Sequence, residues 1–276
     1  MENTAMENTR TKTTRNSLIL LLTAAIWGMA FVSQSKGMDY MHPFTFNGVR
    51  SLIGAASILV YILISRKIAG DKAAPLDWKL NVKAGLLCGI FLTIASTLQQ
   101  FGIKYTSVGK AGFITTLYII FVPMFGIFLK KKVAPVVWAA AVMAAVGMYL
   151  LCMTESLRLG AGDIMVFLCA IAFAIQIMTV DHYAARIDGA VVSCIQFTVC
   201  GVVCCIGALI WGQPTFGQLQ EGLGALLYAG VLSCGVGYTL QIVGQKGLNP
   251  TVAALIMSLE SVIATICLLY TSDAAD

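Results

Sequence analysis

The sequence predicts an all-α, polytopic helical membrane protein with two inverted five-helix repeats, the second lacking its last helix. Three observations carry that reading. Nine hydrophobic spans run along the 276 residues. Hydrophobic residues make up 58% of the chain and charged residues 11%, against about 25% charged in ordinary soluble domains. Residues of the first half also recur in the second at a nearly constant spacing, the signature of an internal duplication.

A bilayer core of about 30 Å needs roughly 20 apolar residues per helical crossing. Spans of that kind lie near Leu18 to Ser35, Phe44 to Ser65, Leu80 to Ile103, Ala111 to Leu129, Pro135 to Leu151, Gly162 to Val180, Ala190 to Trp211, Gly222 to Val243 and Thr251 to Leu268. Backbone inside hydrocarbon must bond to itself, so each is predicted helical. Residues 1–16 are polar and read as a disordered cytoplasmic N-terminus. Arg10, Lys12 and Arg15 flank the first span, but its apolar stretch is long and others follow at once, which opposes a cleaved signal peptide. The first repeat covers residues 17–152 and the second 161–266. Pro43, Pro135 and Pro250 stand at span starts, where a missing N–H costs nothing. Pro123 lies inside span four and predicts a kink there, serving as a gate hinge or only shaping packing. Trp138 and Trp211 read as interface anchors.

Charge fixes orientation. With the N-terminus inside, thirteen basic residues are cytoplasmic, Lys36, Lys104, Lys110 and Arg158 lie near outer ends, and Arg50 falls within a span. This positive-inside bias accounts for the net charge of +5. A nucleic-acid partner would need a basic face on a soluble module, and none is predicted. The nine cysteines fall in or beside apolar spans and read as small packing residues. Cys200 and Cys204 are one turn apart, yet without a companion His or carboxylate they suggest no metal site.

Leu98, Gln99, Gly102, Lys104, Ala111 and Ile114 match Leu240, Gln241, Gly244, Lys246, Ala253 and Ile256 at an offset of 142. Nearer the start of each half, Trp27-Gly28 aligns with Phe173-Ala174 and Arg50 with Gln196 at an offset of 146. Five crossings per repeat is odd, so the second copy enters from the opposite side. Inverted repeats of this kind let one midplane site open alternately to either face; a duplication kept only for packing is the plainer alternative.

Trp27-Gly28 with Phe31, Pro43-Phe44-Thr45-Phe46 leading to Arg50, Lys104-Tyr105-Thr106-Ser107 before Gly109-Lys110-Ala111-Gly112-Phe113, and Ala254 to Ser261 in span nine resemble the drug/metabolite transporter superfamily, specifically its EamA-type permeases. The resemblance covers about Leu18 to Ala264. It implies ten helices with both termini cytoplasmic, a central cavity between the halves, and export or exchange of small metabolites.

Glu260 falls near mid-membrane. A carboxyl there is costly, so function is the default hypothesis: it either couples transport to protons or serves as a hydrogen-bonded structural acid. The position also matches an acidic residue recurrent in the resembled family. Arg50, with Asn47 three residues earlier on the same helical face, either holds a substrate anion, pairs with another group such as Glu260, or snorkels outward. Gln99, Gln176, Gln196, Tyr118, Tyr238 and Gln241 either partner one another across helix contacts or, together with Trp27, line a cavity for amphipathic or amino-acid-like solutes. Tyr118 occupies the repeat position of Glu260.

His42 and His182 lie far apart at membrane edges, and the chain has neither a Walker loop nor an HExxH motif. The expectation is therefore a secondary transporter in the cell inner membrane, without cofactor or metal, whose partners are the lipid bilayer, a small-molecule substrate and possible protons, with a homodimer allowed. A non-transporting scaffold or partner subunit, or an inactive truncated transporter, is the competing class. Unpaired polar groups facing a cavity would favour transport. Residues 267–276 read as an adapter-derived tail in place of a tenth span.

Overall fold

The computed structural model describes residues 2–70, 75–129, 135–152 and 160–273, and among them every regular element is helical. Helix α1 (Glu2–Tyr40) is followed by α2 (Pro43–Ala69), α3 (Trp78–Tyr105), α4 (Val108–Thr116), α5 (Tyr118–Phe128) and α6 (Pro135–Cys152). Then come α7 (Ala161–Tyr183), α8 (Gly189–Gly207) with a π-helical extension over Ala208–Gly212, and the short α9 (Phe216–Glu221). Helix α10 (Leu223–Leu227) runs through π-helical Tyr228–Gly237 into α11 (Tyr238–Gly244), and α12 (Pro250–Met257) leads into α13 (Leu259–Asp273).

Eight of these helical stretches are long and apolar enough to cross a membrane, from Thr11–Tyr40 to Pro250–Cys267. The remaining predicted span is α6, whose apolar stretch Trp138–Gly147 is shorter. The chain is thus an all-α, multi-pass membrane protein.

Helix α1 departs from expectation. It is continuous from Glu2, where the composition had suggested a disordered tail. Residues 2–15 contain no Gly or Pro, and a helix already nucleated by the adjoining span propagates through them at little cost. Its 39 residues span about 58 Å at 1.5 Å each, so one end projects beyond hydrocarbon. Arg158, Lys72 and Lys130 to Lys132, used in the orientation argument, lie outside the described residues, as do residues 274–276 of the predicted tail; residues 267–273 continue α13.

Helix starts are set by local chemistry. His42 Nδ1 accepts from Phe44 N ahead of Pro43, Asp77 from Leu80 N, Asp188 from Ala190 N and Val191 N, and Asn249 from Thr251 N ahead of Pro250. Each acceptor satisfies an orphan N–H at a helix N-terminus.

Glycines set the closest crossings. A Cβ on Gly102 would collide with Val166 and lie 3.0 Å from Gly162 O, where α3 meets α7. One on Gly244 would lie 2.8 Å from Leu20 Cδ2 and 3.2 Å from Asn16 O, where α11 meets α1. Beside the first crossing, Asp163 accepts from Thr106 Oγ1 and Gly160 N and pairs with Lys110 Nζ at 3.5 Å. Lys110 is therefore a buried ion-pair partner, whereas the charge count had treated it as an outer flanking charge. Beside the second crossing, Asn16 Nδ2 donates to Lys246 O at 2.7 Å.

Candidate functional site

Two helix breaks build the centre of the bundle. Helix α4 gives way to α5 at Leu117, and α12 to α13 at Ser258. Thr116 Oγ1 donates to Phe113 O at 2.9 Å, and Ser258 Oγ donates to Leu255 O at 2.8 Å. Hydroxyls that bond back to the preceding turn bend helices. Pro123 lies a turn and a half beyond the first break, and Thr265 stands at the matching place beyond the second, so the break forms with or without a proline.

Just past these breaks, Tyr118 OH donates to Glu260 Oε1 at 3.0 Å, a pair 142 residues apart. Both are buried, at 2% and 4% exposure. They face a central cavity lined also by Trp27, Ala30, Phe31, Gln34, Asn47, Arg50, Leu92, Ser96, Gln99, Thr115, Phe173, Gln176, Ile177, Phe197, Ser233, Cys234, Tyr238 and Gln241. Every sequence-predicted binding candidate except Gln196 is therefore on one wall or another of the same space. Gln196 stands one contact behind it: Gln241 Nε2 donates to Gln176 Oε1 at 3.2 Å, and Gln176 Nε2 reaches Gln196 Oε1 at 3.5 Å.

Arg50 does not pair with Glu260, whose carboxyl accepts from Tyr118. Instead Arg50 Nε donates to Asn47 Oδ1 at 3.0 Å, and its guanidinium lies 5.5 Å from the centre of the Phe46 ring. At 5% exposure it is buried rather than snorkelling. Asn47 Nδ2 in turn contacts Ser96 Oγ at 3.0 Å and Cys204 Sγ at 3.3 Å, while Ser51 Oγ and Ser96 Oγ each approach Cys200 Sγ at 3.4 Å. The two thiols pack among small polar groups behind the cation.

The opposite wall is aromatic. Trp27 and Tyr238 rings are 4.6 Å apart, Phe197 and Tyr238 4.9 Å. Gly237 is needed beside them, since a Cβ there would lie 2.7 Å from Trp27 Nε1. The indole N–H donates to Ser233 O at 3.4 Å within the π-helical stretch, whose register turns that carbonyl inward.

Some polar atoms have no partner. Gln34 Oε1 and Gln241 Oε1, both on cavity-lining residues, are buried without a hydrogen bond. An unmet buried polar atom costs about 1–3 kcal/mol, a cost recovered when water or a solute occupies the space. The cavity volume is about 40 Å³, room for about three waters and well short of the roughly 300 Å³ that small-molecule sites start from. The bundle is closed around its centre. Sequence reasoning passed over Ser96, Thr115, Ser233 and Cys234 as lining residues; the first two lie near Gln99 in space or sequence, but small side chains leave no mark in an apolar window. No group of three or more His, Cys, Asp or Glu side chains able to hold a metal occurs among the described residues.

The described residues form a multi-pass helical membrane bundle around a central polar cavity. The family described as "EamA-like transporter family" matches residues 15–153 and 160–271, and the chain belongs to it. An uncharacterized transporter of Archaeoglobus fulgidus is 30% identical over 171 residues, 60% of this chain and 48% of the relative, so the chain spans about half that protein's length. An uncharacterized transporter of Clostridium kluyveri is 24% identical over 90% of this chain and 83% of its own. Uncharacterized transporter YwfM of Bacillus subtilis is 27% identical over 88% and 80%. A protein of known crystal structure shares the fold at a TM-score of 0.75 and 17% identity, over 95% of this chain and 90% of that one.

Proposed function

We propose that this chain is a secondary transporter that moves small solutes by alternating access through the central cavity, with its two halves acting as inverted repeats. The observation that carries this reading is the composition of the cavity walls. Trp27 and Phe173, Phe31 and Ile177, Leu92 and Cys234, Gln99 and Gln241, and Tyr118 and Glu260 all line it, and each pair is related by the repeat offset of 146 or 142. Tyr118 touches its own counterpart, which is expected only of residues on a pseudo-two-fold axis. The glycine crossings agree: Gly102 against Val166 and Gly162 corresponds to Gly244 against Leu20 and Asn16. A site on such an axis is equally placed for either membrane face.

Solute is held between the Arg50 guanidinium, the Glu260 carboxyl and the Trp27–Tyr238 aromatic wall, with Asn47, Gln99, Gln176 and Gln241 supplying hydrogen bonds. Glu260 carries the coupling proton, taking it up from one side and releasing it to the other. Pro123 serves packing, since the hinge geometry recurs in the second half without it. The positive-inside bias supports a cytoplasmic N-terminus, and hence an inner-membrane export or exchange role. The unpaired Gln34 and Gln241 oxygens weigh against a purely structural membrane scaffold, in which such groups would be matched.

Proteoliposomes challenged with amino acids, nucleobases and organic cations, with and without a proton gradient, test the reading. Movement of a solute class that is accelerated by the gradient supports it; wild-type protein that moves none of them under any gradient overturns it. PH-driven transport surviving in Glu260→Gln would sink the proton role alone.

A further inference from the structure

The two ends of the bundle differ at equivalent positions. At the end where Arg66 and Lys246 lie, a vestibule of about 580 Å³ opens between α2, α3, α8 and α11. Ser65, Asp188, Ala190 and Val243 are among its lining residues. Their counterparts under the repeat offsets are Trp211, His42, Phe44 and Phe101. These four occupy the opposite end as a continuous aromatic cluster: Phe44 stacks on Trp211 at 5.6 Å and on His42 at 5.8 Å, and Phe101 meets Phe44 edge-on at 5.1 Å and His42 at 5.5 Å. Small residues on one side and large rings on the other thus stand at the same four places of the repeat.

Beneath the rings, Phe44 packs on Gly207, where a Cβ would lie 2.9 Å from the ring, and Asn47 and Thr97 reach Cys204. The next layer inward is Arg50 and the cavity. A single turn below the vestibule, Tyr238 and Gln241 face the cavity while Thr239 and Val243 face the vestibule. One end thus carries a vestibule beside the cavity wall, and the other carries rings over it, with Trp211 at their exposed edge.

We propose that the His42–Phe44–Phe101–Trp211 cluster is the closed gate of this transporter, and that the vestibule at the Arg66 end is the mouth through which solute loads. The vestibule wall carries Arg66, Asp77, Asn81, Asp188, Thr239 and Lys246, both signs of charge with amide and hydroxyl between them, which suits small water-soluble polar solutes and not lipid-soluble ones. The inference rests on the transport reading for its meaning, but its geometry is testable without a substrate.

The test uses a charged, membrane-impermeant thiosulfonate on the full chain in nanodiscs, where both ends meet water, with labelling assigned residue by residue from fragment ions, since the less buried Cys205 adjoins Cys204. Native Cys204, fully buried under the rings, is the reporter; native Cys88, fully buried in a separate cluster, reports unfolding. In Phe44→Ala with Phe101→Ala, Cys204 labelling should rise at least about tenfold with Cys88 still protected. The converse variant, Ser65→Trp with Ala190→Phe, transplants bulk to the vestibule and should slow labelling of an added Thr239→Cys by a similar factor. Cys204 labelled as fast in the unaltered chain as Thr239→Cys, or unmoved by ring removal while Cys88 stays protected, overturns the gate. Should the ring variant expose Cys88, the converse variant decides: undiminished Thr239→Cys labelling overturns the proposal. Labelling as expected in a protein that moves no solute leaves the gate geometry standing and refutes transport instead.

Discussion

The two walls of the central cavity are alike in position and unlike in chemistry. One half contributes Trp27, Ala30, Phe31, Leu92, Gln99 and Tyr118; the other contributes, at matching positions, Phe173, Gln176, Ile177, Cys234, Gln241 and Glu260. Backbone placement follows the repeat, down to the hydroxyl-bonded breaks at Thr116 and Ser258. Chemistry does not: an acid faces its phenol counterpart, and only Gln99 and Gln241 are the same residue. Under the proposed alternating-access reading, duplication would supply a site that both membrane faces can reach, and substitution within it something to bind. The comparison of the two ends follows the same rule, with rings where the other end has small residues.

Breaking the Glu260–Tyr118 asymmetry should have the largest effect. Glu260→Gln keeps shape and one hydrogen bond but removes the titrating group, and gradient-driven flux in proteoliposomes should fall at least about 100-fold while protein yield holds. Tyr118→Phe deletes only a hydrogen bond to a carboxyl, worth about 1.5–3 kcal/mol, and should slow flux about tenfold with coupling retained. Equal loss in both variants would mean that the pair works as a structural unit and not as carrier and partner.

The end latches come next. Asp163→Ala removes the buried carboxylate that pairs with Lys110 and accepts from Thr106 and Gly160; loss of one partner of a buried pair costs about 3–5 kcal/mol. At the other end the latch is the neutral Asn16–Lys246 bond, so Asn16→Ala should cost only about 1 kcal/mol. Thermal unfolding in detergent, with both variants measured side by side, reads the difference, and equal losses would erase the claimed contrast between the ends.

Smaller effects separate the helix breaks from their apparent cause. Ser258→Ala should lose part of the bend and roughly half the flux, and Thr116→Ala likewise, whereas Pro123→Ala should leave the break in place because the second half forms one with Thr265 at the matching position. Spin-label distances across α4–α5 check this; a straightened helix in Pro123→Ala would return the hinge to the proline.

The smallest effect concerns His42. Burial first, and the nearby Lys104 charge second, hold its imidazole below the ordinary value of 6.5. The folded form favours neutral His42, so its contribution is intact above that ordinary value and is lost as pH falls through the lower folded one. The thiolate fraction of any cysteine falls with pH, so the readout is a ratio: acidification should raise Cys204 labelling severalfold relative to that of Thr239→Cys, and His42→Phe should flatten the ratio.

Much of this site could be read from the chain. An ionisable or amide side chain in an apolar span is conspicuous because hydrocarbon penalises it, and Glu260, Arg50, Asn47 and the glutamines were found that way. Ser96, Thr115 and Ser233 were not, since small hydroxyls bond to their own helix and carry no such penalty. Gln196 stands behind Gln176, whose amide reaches its oxygen: of the two uses read for it, it takes the helix-to-helix contact, a choice that polarity in an apolar span does not make. Helix α1 runs back to Glu2 where the composition suggested disorder, because polarity alone does not stop a helix that lacks Gly and Pro.

The sequence by itself determined that this protein spans a membrane many times as helices, and it marked the residues that recur at a constant offset and the few polar groups that sit in apolar spans, because these follow from transfer cost and from one-dimensional periodicity. Only the tertiary structure decided that Tyr118 meets Glu260, that Arg50 turns to Asn47 instead, that Lys110 is spent on Asp163, and that rings close one end where small residues leave the other open. Those outcomes depend on which helix faces cross, and crossing is fixed by glycine contacts and side-chain volumes hundreds of residues apart in their effects but a few ångströms apart in space.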